Sequence, residues 1–243
     1  MKFCKSEMLD YLILFQSDLK MESLSSKSPR NIVKFERGSV PEGAIILTEE
    51  EAVQARLQLV HSWKPRSEVW PFTYGQVLIS AISGAGGFYC NHYYRKCMKL
   101  RNCARMSTYI PVVVLPSLLT PILHSTLITS DILIGKTPCS LCVQIKAMAL
   151  QVTIGALYPM VLAPLGCFQF AERYLTYPLP SIRDSPREVF RLYQKLTAAR
   201  LPQFGVNVMI QALLAWFITH KEITCLHTIT SKLERGDDDI STI

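Results

Sequence analysis

The sequence predicts an all-α integral membrane protein: four transmembrane helices with short loops, an N-terminal extension and an interfacial amphipathic helix. Three observations carry the prediction. Four apolar stretches, at about 71–90, 107–128, 147–170 and 201–219, follow one another, each 19–24 residues long. At about 1.5 Å rise per residue, such lengths match a hydrocarbon core of ~30 Å. None of the four contains Asp, Glu, Lys or Arg. The chain as a whole has a mean hydropathy of +0.20 and only 19% charged residues, low for a soluble domain.

The chain has 243 residues, so four spans leave little room for a separate soluble domain. Residues 1–47 are expected to be flexible. Their first twenty do not read as a cleavable presequence, because Glu7, Asp10 and Asp18 interrupt or flank the apolar run. From Met21, a candidate alternative start, the chain turns Ser-rich and basic, which is transit-like apart from Glu22 and Glu36. Thr48 and Glu51 then make a T-x-x-E capping box that opens a helix over 49–62, with Val53, Leu57 and Val60 on one face. This piece, 48–69, precedes the four-helix domain at 70–220. Trp63, Trp70 and Tyr74 fall where aromatic anchors meet a membrane surface, although ordinary packing places aromatics there too.

The first span carries Ser80, Ser83, Gly84 and Gly87, two small-xxx-small pairs that admit a close helix. They mark either packing inside the bundle or a docking face for a partner. The second span contains Pro111, Pro116 and Pro121, each of which frees a backbone carbonyl that must find another donor in lipid. His124 near its end and Asp131 just beyond are expected to snorkel to the interface. The third span, with Gly155, Pro159, Pro164 and Gly166, is expected to kink or break early. In the fourth, Asn207 and Gln211 share a face and suit hydrogen bonds between helices. Residues 221–243 read as a tail.

The net charge of +7 is a topology signal rather than a nucleic-acid signal. The loop at 92–106 carries Arg95, Lys96, Lys99, Arg101 and Arg105; that at 171–200 carries Arg173, Arg183, Arg187, Arg191, Lys195 and Arg200. The loop at 129–146 has only Lys136 and Lys146. The positive-inside rule puts both basic loops on the cytoplasmic or matrix face, with the termini and 129–146 opposite. Within the third loop, Ser185, Pro186 and Glu188 spell a helix start. Arg187, Arg191 and Lys195 form a basic stripe behind it, and Val189, Leu192, Tyr193 and Leu196 an apolar one. Such a helix lies in a membrane interface and attracts anionic lipid, or serves as a plain connector.

Of eight cysteines, only Cys139 and Cys142 have a chemically suggestive spacing. A C-x-x-C at a helix start is a candidate disulfide or a redox pair, though no second pair accompanies it on that face. No phosphate loop, nucleophile elbow or zinc motif occurs, so the sequence points to no catalytic residue, metal or cofactor. A small transporter would show repeats or charges at mid-bilayer, and neither is evident.

Cys139-Ser-Leu-Cys142, Gly155-Ala-Leu-Tyr158-Pro159, Ala171-Glu-Arg173-Tyr174, Tyr177-Pro-Leu-Pro180 and Tyr94-Arg95-Lys96 together resemble the transmembrane protein 126 family over about 70–220. The C-x-x-C is similar to the A-type member and the Pro-Leu-Pro to the B-type. The resemblance implies a mitochondrial inner-membrane protein that is not an enzyme. It implies an assembly factor of respiratory complex I that holds membrane-arm subunits during biogenesis, alongside other assembly factors. On that footing Ser80, Ser83, Gly84 and Gly87 become the expected client face, the basic loops face the matrix, and cardiolipin is the natural lipid for Arg187, Arg191 and Lys195. The rival expectations are a thiol–disulfide oxidoreductase using Cys139 and Cys142, and a small transporter.

Overall fold

A computed structural model describes residues 48–137, 139–178 and 185–235. The N-terminal segment with Met21 and Cys4, the loop residue Arg183, Pro180 of the Pro-Leu-Pro, and the acidic 237–239 lie outside the described residues. The described residues contain helices and no strand. They fall into two compact units, one ending at Ser62 and one beginning at Trp63.

In the first unit, helix α1 spans Glu49–Ser62, as the capping box predicts. The box is reciprocal. The Glu51 N–H donates to Thr48 Oγ1 at 3.3 Å, and Thr48 returns its N–H and hydroxyl to Glu51 Oε2 at 2.8 and 2.9 Å. These bonds to the carboxylate, the backbone one foremost, hold the Glu51 carboxyl below the usual carboxylate range.

The second unit is a bundle of four long helices with a shorter one near one end. Helix α2 is Trp70–Cys97, α3 is Arg105–Ile134, α4 is Ser140–Tyr174, α5 is Pro186–Ala198 and α6 is Leu201–Arg235. Three of them, α3, α4 and α6, are long and apolar enough to cross a membrane. Helix α2 has the length, at 28 residues, but falls short in apolarity, so three helices rather than the expected four meet both requirements for a span. The reason lies in its place. It packs against α3, α4 and α6 at once, and its buried side interleaves Gly75, Ser83, Gly86, Gly87 and Asn91 with Phe72, Ile79 and Tyr94. Its outward side still shows Tyr74, Val77, Leu78 and Phe88.

The proline-bearing helices do not break. Helix α3 absorbs Pro111, Pro116 and Pro121 with π turns at Ile110–Val114 and Ser125–Thr129. Helix α4 has one at Thr153–Leu157, immediately before Pro159, and runs on through Pro164. A wider turn relieves the clash and missing bond of a proline without ending the helix, so the expected break in the third span does not occur. Helix α3 closes on Gly135 (φ 65°), a left-handed cap glycine adopts freely.

Helix α4 also starts earlier than the apolar run suggested, at Ser140, which draws Lys146 out of the expected loop and into the helix. Helix α6 outruns the predicted fourth span and turns 221–235, expected as tail, into a continuation of the bundle. Trp63 is not a surface anchor. It is buried, and its indole N–H donates to Glu68 at 3.1 Å.

Candidate functional site

The small residues of α2 and the prolines of its neighbours are two halves of one arrangement. Pro121 removes the N–H that Ser117 O would meet in an α-helix. That carbonyl accepts the Ser80 hydroxyl at 2.6 Å instead. Pro116 does the same to Val112 O, and here α2 answers with Gly87. A Cβ on Gly87 would stand 2.2 Å from Val112 O. Ser83 donates to Pro116 O at 3.4 Å, and Gly84 faces Ser117. The face formed by Ser80, Ser83, Gly84 and Gly87 is therefore filled by α3. Of its two readings, the geometry is that of packing within the chain. The expected client-docking groove on this face is corrected, because α3 occupies it.

The same logic recurs at α4. Pro159 frees Gly155 O, which accepts Gln211 Nε2 of α6 at 3.1 Å. Gln211 also donates to Ile82 O of α2 at 3.1 Å and accepts from Gln151 Nε2 at 2.6 Å. One buried amide thus ties α2, α4 and α6, the inter-helix role expected of it. Gly86 and Gly155 leave the room for it, since a Cβ at either would collide with the Gln211 side chain. Asn207 belongs to this layer, and its Nδ2 has no hydrogen-bond partner among the described residues.

A second polar layer was not expected. Glu222 of α6 is fully buried. Its carboxylate meets His124 Nε2 at 3.3 Å and accepts Thr129 Oγ1 at 3.4 Å and Gln76 Nε2 at 3.4 Å. His124 does not snorkel; it is 1% exposed and turned inward to this carboxylate. Asp131 pairs with Lys146 at 2.7 Å, joining the ends of α3 and α4. The Lys221–Glu222 pair reads as the end of an apolar span, which hid the layer. The signal that reveals it is the apolar period running past it through Ile218, Cys225 and Ile229, all buried on α6. Beyond it, Lys232 reaches Glu68 at 2.7 Å. The hydrogen bond from Lys232, then that from Trp63, lowers the Glu68 carboxyl below its ordinary range.

At the opposite end, Arg95 departs from its expected place among the exposed loop charges. It is 5% exposed. Its guanidinium donates to the carbonyls of Arg101, Cys103 and Ala104 and to the Thr108 hydroxyl, at 2.7–3.3 Å. The α2–α3 loop wraps this cation with Lys99, Arg101 and Ala104 in the left-handed region, φ 53°, 40° and 48°. Such conformations cost about 1–3 kcal/mol each and persist only when surroundings enforce them.

Helix α5 rests nearby. Tyr93 donates its hydroxyl to Leu196 O at 2.8 Å, and the Tyr94 ring stacks on Tyr193. Val189, Tyr193 and Leu196 pack on the core around Tyr94 and Phe204. The helix begins at Pro186 as predicted, but Ser185 makes no side-chain cap, so the expected capping box is not formed. Arg187, Arg191 and Lys195 are exposed.

Cys139 caps α4. Its sulfur accepts the Cys142 N–H at 3.3 Å. The Cys142 thiol, followed by its N–H, directs hydrogen bonds at Cys139 and holds that thiol below the ordinary range. Both are free and exposed. Among the described residues no group of three or more His, Cys, Asp or Glu lies together as a metal site.

The family model "Transmembrane protein 126" matches residues 53–236. The chain belongs to the transmembrane protein 126 family. It is 37% identical over 184 residues to "Transmembrane protein 126" of Drosophila melanogaster, covering 75% of this chain and 82% of that protein. It is 27% identical over 116 residues to "Transmembrane protein 126A" of Mus musculus, covering 48% of this chain and 59% of that protein. No solved structure matches. Every polar layer described above lies within the stretch that the transmembrane protein 126 model covers, from Gln76 to Glu222.

Proposed function

We propose that this membrane protein is an assembly factor of mitochondrial respiratory complex I, holding membrane-arm subunits in the inner membrane during biogenesis. The observation that carries the reading is family membership over 53–236, with the role the resemblance implies. The bundle suits that role. Its interior is closed by side-chain-to-carbonyl bonds, and α3, α4 and α6 turn large apolar side chains outward, among them Leu118, Ile122, Val161, Leu165 and Leu213.

Because α3 fills the small-residue face, clients dock on these outer faces. The basic loops at 92–106 and 171–200 face the matrix, with Arg187, Arg191 and Lys195 toward cardiolipin phosphates and matrix-side assembly factors. The loop at 129–146 and both termini then face the intermembrane space.

Complexome profiling of membranes from cells with and without the protein tests this. Co-migration with partial complex I, and loss of the mature complex on deletion, is the expected result. Intact complex I and migration elsewhere would overturn the proposal.

A further inference from the structure

Two thiols stand apart from the other described cysteines. Cys90, Cys167 and Cys225 are buried and Cys97 and Cys103 half-buried, whereas Cys139 and Cys142 are exposed. They hold the cap and the third position of α4. Residues three apart on a helix keep their Cβ atoms roughly 5–6 Å apart. A disulfide needs about 3.5–4.5 Å. A small closure of the first turn would join them.

A capping role accounts for neither residue. Cysteine is not among the favoured caps, where a hydroxyl or carboxylate accepts better. Cys142 is exposed rather than packed, and its N–H is aimed at the Cys139 sulfur at 3.3 Å. The arrangement supplies what exchange chemistry needs: an accessible sulfur at a helix start, donors that favour its thiolate, and a second thiol within reach to resolve an adduct.

We propose that Cys139 and Cys142 form a thiol–disulfide exchange site whose substrate is a disulfide of another protein on the same side of the membrane. The Cys139 thiolate attacks one substrate sulfur. The substrate S–S bond breaks, the mixed disulfide forms, and the released substrate thiolate takes a proton. Cys142, having given up its proton, attacks Cys139 Sγ. This forms the Cys139–Cys142 disulfide and releases the second substrate thiolate, which is protonated in turn. Two electrons pass from the chain to the substrate, and the reverse steps oxidise a substrate dithiol. This activity goes beyond the assembly role and does not depend on it.

The test uses the full chain, reduced, in lipid nanodiscs, with a synthetic peptide carrying one internal disulfide as probe. Wild type should reduce the peptide and lose two hydrogens by mass, mapped to Cys139 and Cys142. Cys142→Ser should stop at a mixed disulfide on Cys139. Cys139→Ser, which keeps a capping oxygen and so the helix start, should react at least tenfold more slowly than Cys142→Ser. Equal rates for the two variants would overturn the proposal, as would wild type that keeps both thiols under tenfold excess peptide. Neither outcome bears on co-migration with complex I, so the two readings fail separately.

Discussion

Gly87→Ala is the sharpest perturbation of the bundle. The added methyl would sit 2.2 Å from Val112 O, 3.2 Å from Val112 C and 3.3 Å from Val113 Cα. All three are backbone atoms of α3, so no rotamer change relieves the clash. The helices must part, and the bonds from Ser80 to Ser117 O and from Ser83 to Pro116 O stretch with them. Overpacking a well-filled core costs about 1–3 kcal/mol. A backbone-on-backbone clash belongs at the top of that range.

Against this, alanine gains about 0.8–1 kcal/mol over glycine in a helix interior. The net loss is then ~2 kcal/mol. For a chain of this size, that lowers the unfolding midpoint by roughly 4–8 °C. Gly84→Ala is the control, because its methyl would stand 3.4 Å from Ser117 Cβ, an ordinary contact. The assay is thermal unfolding in detergent, followed by the fluorescence of Trp63, Trp70 and Trp216. A Gly87→Ala midpoint at or above that of wild type, or equal losses for the two variants, would refute the reasoning.

Removing one side of the second polar layer should cost more than removing both. His124→Leu or Glu222→Leu each strand a buried polar partner, at about 1–3 kcal/mol, and the double variant should recover part of the loss in a double-mutant cycle. Arg95→Lys should loosen the α2–α3 loop despite keeping the charge, because an ammonium cannot serve four acceptors in the guanidinium's plane; faster limited proteolysis within 98–104 would show it. The Glu68–Lys232 contact has a pH signature. The folded carboxyl is depressed, so its stabilisation is complete above the unfolded value of ~4.3 and fades as pH falls through the lower folded value. Hydrogen exchange in the last turns of α6 should accelerate over that window, and Glu68→Gln should abolish the dependence. Finally, Arg191→Glu with Lys195→Glu should lower cardiolipin retention on purification, at ~1 kcal/mol per basic residue, read by native mass spectrometry.

How much of this was legible in the sequence depends on whether a residue's role is local. The capping box of α1 and the start of α5 follow from spacing alone, and the apolar helices cover the predicted runs, with α4 starting earlier and α6 running further than the pattern put them. The bundle's internal bonds were half legible. The prolines announce freed carbonyls and α2 announces small donors, but only the fold pairs Pro121 with Ser80, Pro116 with Gly87 and Pro159 with Gln211.

What misled was charge. Glu222 and Arg95 sit at the edges of apolar runs, where a charged residue ordinarily marks the water boundary. Both are instead buried by partners distant in sequence or by a folded-back loop. His124 followed the same error, since its inward partner lay in a segment taken as tail. The exposure of Cys139 and Cys142 likewise needed the early start of α4, about two turns ahead of the apolar run.

The reading turns on α2, whose small, proline-serving face lies inside the bundle and makes it the least apolar of the long helices. If α2 crosses the membrane with the other three, residues just before and just after it face opposite sides. Ser67→Cys and Lys96→Cys, each introduced singly into a variant with the native cysteines replaced by serine, test this with a membrane-impermeant maleimide on sealed, oriented vesicles. The predicted result is labelling of one from outside and of the other only after the vesicles are opened. Labelling of both from the same side would contradict the four-crossing bundle, and with it the sidedness assigned to the basic loops and the dithiol.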